Sequence, residues 1–125
     1  MQGKQMKTIL LIESDESLRR RFRKFLEFEN YRVLSVPDEA LALDFVNQQQ
    51  LDVDLVILAV AVQPQSAFEL LIDALPNTKV LLLSLTASIS AESIYPCLVK
   101  PVPPERLVSK VQQLLQGHTR TAASA

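Results

Sequence analysis

Glycine is nearly absent from this 125-residue chain, which has one at position 3 and one at position 117. No phosphate-cradling loop of the P-loop or G-x-G-x-x-G kind can therefore be written into the body. A single cysteine, Cys97, excludes an intrachain disulfide and a cysteine-rich zinc site. The single histidine, His118, falls beyond the last apolar segment, which leaves no Ser–His or Cys–His pair for nucleophilic catalysis. Neither sign of charge dominates. Thirteen Lys and Arg against fourteen Asp and Glu give a net charge of −1, which argues against a general nucleic-acid or anionic-membrane binder. Long apolar runs are missing too: the first, Ile9–Ile12, stops at Glu13, too short for a signal-peptide core or a membrane span. A cytoplasmic protein is expected.

What is present alternates in kind. Thr8–Ile12 is a short continuous apolar run, as in a strand covered on both faces. Residues 15–29 follow with a helical stripe of Leu18, Phe22, Phe25 and Leu26, capped by Ser14 or Asp15. Tyr31–Val36 reads as a second strand. Pro37 suits the first position of a helix whose stripe is Leu41, Phe45 and Val46. Leu55–Val60 is the most apolar run and should be the central strand. Ser66–Glu69 has capping-box spacing and opens a helix with Leu71, Ile72 and Leu75 that stops before Pro76. Lys79–Leu85 and Cys97–Val99 complete the strands. A last helix begins at Pro103–Glu105, buries Leu107, Val108, Val111, Leu114 and Leu115, and ends at Gly117.

Residues 1–6 read as a disordered lead-in, 7–116 as one domain, and 117–125 as a flexible tail or truncated linker. Regular alternation at this length predicts an α/β fold with a parallel sheet between two helical layers. Ligand sites in such sheets lie beyond the carboxyl ends of the strands. That directs attention to Glu13, Ser14 and Asp15, to Ala59–Ala61, to Ser84–Thr86, and to Lys100.

At those four places the chain resembles the receiver domain of two-component response regulators, over roughly residues 7–116. ILLIESDESLRRRF looks like the family's first strand, acidic turn and first helix. DLVILAV followed by FELL, VLLLSLTA, and CLVKPVPPERLVSKV look like its later strands and helices, and Lys100-Pro101 is the most specific piece. The resemblance implies a flavodoxin-like three-layer sandwich with a five-stranded parallel sheet in the order 2-1-3-4-5. Thr86–Pro96 is short for a parallel crossover and holds one plausible helical turn around Ala91–Ile94, so the fourth helix should be short or missing.

Receivers accept a phosphoryl group on an Asp at the end of the third strand, beside a Mg²⁺ held by an acidic pair. Carried onto this sequence, the pair falls on Glu13 and Ser14, and the acceptor position on Ala59, whose methyl group cannot attack phosphorus. The pocket hydroxyl falls on Ser84 or Thr86, the pocket lysine on Lys100, and the aromatic switch position on Cys97. Asp54 stands five residues before Ala59, about 16 Å away at ~3.3 Å per residue, at the wrong end of the sheet. Glu13 and Asp15 remain as a weak or lost Mg²⁺ site, no other cofactor is expected, and Lys100 can neutralise Glu13 without metal.

The expected function is that of a degenerate receiver, non-enzymatic, acting as a phosphorylation-independent interaction module in signal transduction. Its partners would be signalling proteins such as a histidine kinase or another regulator, with a homodimer as a further option. Two alternatives stand beside it: an atypical receiver phosphorylated elsewhere in a phosphorelay, and a flavodoxin-like domain binding a small ligand. Arg19, Arg20, Arg21, Arg23 and Lys24 form either a partner patch or simply the solvated face of the first helix. Cys97 reads as a small core residue rather than a redox thiol.

Overall fold

The computed structural model describes residues 6–60, 66–85 and 94–124. Five parallel strands form one sheet: β1 (Thr8–Ile12), β2 (Arg32–Val36), β3 (Leu55–Val60), β4 (Lys79–Ser84) and β5 (Cys97–Val99). Their order is β2-β1-β3-β4-β5. The helices are α1 (Glu16–Phe28), α2 (Glu39–Gln49), α3 (Ser66–Ala74) and α4 (Pro104–Ser124). The expected fold class is therefore present. The crossover between β4 and β5, with the expected turn at Ala91–Ile94, lies almost wholly outside the described residues.

Every residue of β1 is buried, which is why it carries no polar alternation. Alternate residues feed two cores. Ile9, Leu11, Leu55, Ile57, Leu81 and Leu83 pack with Phe22 and Leu26 of α1 and with Leu107 and Val111 of α4. Leu10, Ile12, Val56, Leu58, Val80 and Leu82 pack with Ala42 and Val46 of α2 and with Leu71 of α3. The sheet thus separates an α1/α4 layer from an α2/α3 layer.

Local chemistry sets the helix ends. Asp15 caps α1, accepting the Leu18 N–H at 3.0 Å, and Asp38 caps α2, accepting the Leu41 N–H at 2.8 Å. Pro37 therefore precedes the cap of α2 and is not its first helical residue. This shifts the buried stripe: Ala42 and Val46 face the sheet, while Leu41 lies 48% exposed. Phe25 likewise falls at the margin of the α1 stripe, at 36% exposure. The last helix does not end at Gly117 but continues to Ser124. An interior glycine costs a helix only about 1 kcal/mol relative to alanine, and no proline follows it.

With so little glycine, left-handed positions fall to other residues. Asn30 (φ 72°) turns the chain from α1 into β2, and Gln50 (φ 50°) closes α2, its N–H donating to the Val46 carbonyl at 2.9 Å. Asparagine tolerates this region through its short polar side chain, whereas glutamine has no such compensation. Tyr31 is buried beside the first of these turns; burial, and secondarily Glu29, push its phenol above the usual value.

Two stability predictions follow from this packing. Phe22→Ala should cost about 3–5 kcal/mol, while Phe28→Ala, at 82% exposure, should stay within about 0.5 kcal/mol; denaturant midpoints measure both. Gln50→Gly should raise stability by about 0.5–1 kcal/mol in the same assay by relieving the left-handed strain.

Candidate functional site at the carboxyl edge of the sheet

Glu13 follows β1 directly and is only 2% exposed. Four interactions hold it. Its N–H donates to the Val36 carbonyl at 3.1 Å, extending the β1–β2 ladder by one bond. Its carbonyl accepts from Arg19 Nη1 at 2.8 Å. One carboxylate oxygen, Oε1, lies 2.8 Å from Lys100 Nζ. The other, Oε2, accepts the Asp15 N–H at 3.0 Å. A buried carboxylate needs this degree of satisfaction, because leaving it unpaired would cost several kcal/mol.

Lys100 reaches the site from the opposite side of the sheet order. It follows β5, and its N–H donates to the Ser84 carbonyl at 2.7 Å, continuing the β4–β5 ladder. The Lys100-Pro101 peptide is cis. The lysine stem is largely covered, so the ion pair with Glu13 is shielded on both sides. The expected neutralisation of Glu13 by Lys100 is thus present as a direct contact.

The other expected site residues are placed as follows. Ala59 lies near the end of β3, beside Leu83 of β4, and packs on the α1/α4 core. By strand alternation it shares its face of the sheet with Leu11 and Ile57, and hence with Glu13 at the end of β1. It contributes a methyl group there. Ser84 is fully buried and pairs with Val60 and Val99, which puts it in register with the other face. Ser14 is exposed, and Asp15 is engaged as the α1 cap. Thr86 lies outside the described residues.

Cys97 is half-buried against the α2/α3 core, its Sγ 3.9 Å from the Leu98 carbonyl oxygen. Tyr95 packs on the same core and meets Phe68 edge-on, with ring centroids 6.0 Å apart. Asp54 sits at the amino end of β3, where its Oδ2 accepts the Thr8 N–H at 2.8 Å. It pins β1 to β3 at the edge remote from Glu13.

Arg19 is the member of the site that sequence reading assigned elsewhere, to the basic run. Its spacing held the signal: it lies four residues after the cap Asp15, so α1 turns it back over the end of β1. The other members of that run behave differently. Arg20 and Arg23 pair with Glu16 (4.0 Å) and Glu27 (2.9 Å) along the helix. Among the described residues, Arg21 and Lys24 have no such carboxylate.

A Mg²⁺ ion fits this donor set poorly. Mg²⁺ takes near-octahedral oxygen ligands. Both Glu13 carboxylate oxygens are engaged, Asp15 serves as a helix cap, and Ala59 offers no side-chain oxygen. Among the described residues no group of three potential metal ligands occurs.

No family model and no curated protein matches the sequence. Solved structures do match. The chemotaxis protein CheY4 of Vibrio cholerae is 24% identical at a TM-score of 0.73, over 89% of this chain and 100% of that one. A response regulator receiver protein of Sinorhizobium medicae is 22% identical at 0.75, over 90% and 96%. A CheY-like receiver domain protein of Methanospirillum hungatei is 21% identical at 0.75, over 94% and 99%. A streptococcal redox sensor evolved from two-component response regulators is 25% identical at 0.73; this chain covers 55% of it. The fold is therefore that of the response-regulator receiver domains. No described helix is long and apolar enough to cross a membrane.

The buried pair makes a specific demand on mutants. Lys100→Ala strands a buried carboxylate and should cost about 3 kcal/mol. Pairing it with Glu13→Leu should recover part of that loss, because the double change removes both charges. Chemical denaturation of the two singles and the double measures the coupling.

Proposed function

We propose that this chain is a degenerate receiver domain, a signal-transduction module that binds protein partners without being phosphorylated on its sheet edge. The observation that supports this best is the closed ion pair. Glu13 is fully engaged by Lys100 and by the Asp15 N–H, and the neighbouring position on β3 is the methyl group of Ala59. A carboxylate acceptor is the nucleophile of the receiver reaction that the resemblance implies, and a methyl group has no lone pair to attack phosphorus. With the lysine already paired to Glu13, its charge is not free to await a phosphoryl oxyanion. On this reading the domain is not an enzyme and requires no cofactor, and Glu13 and Asp15 are structural rather than metal ligands.

The partners would be other signalling proteins, a histidine kinase or a second regulator among them, in the cytoplasm. Within the basic run, Arg21 and Lys24 are the members best suited to meet an acidic protein surface. Arg19 is anchored to the site, and Arg20 and Arg23 are paired within α1.

Incubation with acetyl phosphate and Mg²⁺, followed by intact-mass measurement, tests the reading. No phosphoryl adduct is expected on the folded chain. An acid-labile adduct would overturn it, whichever carboxylate carried the group.

A further inference from the structure

The near-neutral total charge conceals a strong asymmetry across the sheet. In the α1/α4 layer, α1 carries five Lys and Arg against two Glu, and residues 104–116 of α4 add Arg106 and Lys110 against Glu105. In the α2/α3 layer, Glu39, Asp44, Glu69 and Asp73 are met by no Lys or Arg in either helix. The apolar sheet and its two cores stand between these layers, so the opposed charges do not neutralise one another locally. Each layer also exposes large apolar side chains: Phe28 at 82% on the basic side, Leu41 at 48% and Leu70 at 56% on the acidic side.

We infer that a second copy of this chain is the occupant of the basic α1 face, docking through its acidic α2/α3 face. Charge decides the geometry. A two-fold contact centred on one helical layer sets like charges against each other, basic on basic or acidic on acidic, including one made through the outer face of α4. A head-to-tail contact instead brings Arg21 and Lys24 of one copy to the carboxylates of the next while covering Phe28 and Leu70 in the same interface. Such a heterologous contact leaves one basic and one acidic face open at the ends, so it propagates into short chains or closes into rings. A net charge near zero removes the overall repulsion that would oppose it. The contact is independent of the phosphorylation chemistry above and stands or falls separately.

Sedimentation velocity of the full chain over a concentration series tests it at about 0.01 M and about 1 M ionic strength, where the Debye length is ~30 Å and ~3 Å. At low salt the weight-average sedimentation coefficient should rise with concentration, and at high salt the apparent association should weaken at least tenfold. Two charge reversals, Arg21→Glu with Lys24→Glu and Glu69→Lys with Asp73→Lys, should each give a monomer at low salt. Circular dichroism should show that both remain folded. Mixing the two variants should restore association, since each then meets an oppositely charged face. A wild-type chain that stays monomeric up to about 1 mM at low salt would overturn the proposal, leaving the basic face to a foreign acidic partner. Association indifferent to salt or to the reversals would overturn it equally.

Discussion

A buried carboxylate is expensive unless its surroundings neutralise it, and the carboxyl edge of this sheet is organised around that requirement at Glu13. The residue stands just beyond β1, next to the centre of the strand order, and draws in parts distant in sequence. Val36 at the end of β2, the amino end of α1 through Asp15 and Arg19, and Lys100 beyond β5 all converge on it. Lys100 is eighty-seven positions away in sequence. The pair therefore ties the first strand to the last across an edge where strands otherwise end in loops. Both partners are largely shielded from water, and their direct contact leaves little room at the edge for a further ion.

That closure bears on the relation between this fold and its chemistry. A receiver-type sheet presents loops and strand ends in a fixed arrangement, but the arrangement alone does no chemistry; the side chains placed there decide it. Here the β3 position offers a methyl group, and the two acidic residues nearby are committed to an ion pair and a helix cap. The sheet insulates a basic layer from an acidic one.

Much of the architecture was legible in the residues. Continuous apolar runs such as Thr8–Ile12 and Leu55–Val60 mark strands buried on both faces, and Lys100-Pro101 marks the end of the last strand. The misreadings share a cause. Pro37 and Gly117 are strong local signals, yet Asp38 offers a better cap than the proline, and one glycine is too weak to stop a helix. Leu41 fits a helical stripe by spacing, but the helix starts two residues later than Pro37 suggests, at Glu39, and Ala42 rather than Leu41 faces the sheet. Arg19 was hidden among four other cations because charge runs do not reveal which member turns inward.

Sequence alone determined the alternation of strand and helix and the absence of a glycine loop or a cysteine-rich zinc site. These follow from local periodicity and residue type, which need no knowledge of distant neighbours. Tertiary structure decided which side chains meet: that Lys100 reaches Glu13, that Asp54 pins the opposite edge, and that the helical charges separate by sign across the sheet. Such facts depend on the order in which strands assemble, and that order is set by burial of the sheet's two faces rather than by any stretch of residues read in isolation. The scarcity of glycine, first an argument about excluded loops, gains a structural meaning in the same way, because only the folded turns show Asn30 and Gln50 in left-handed conformations.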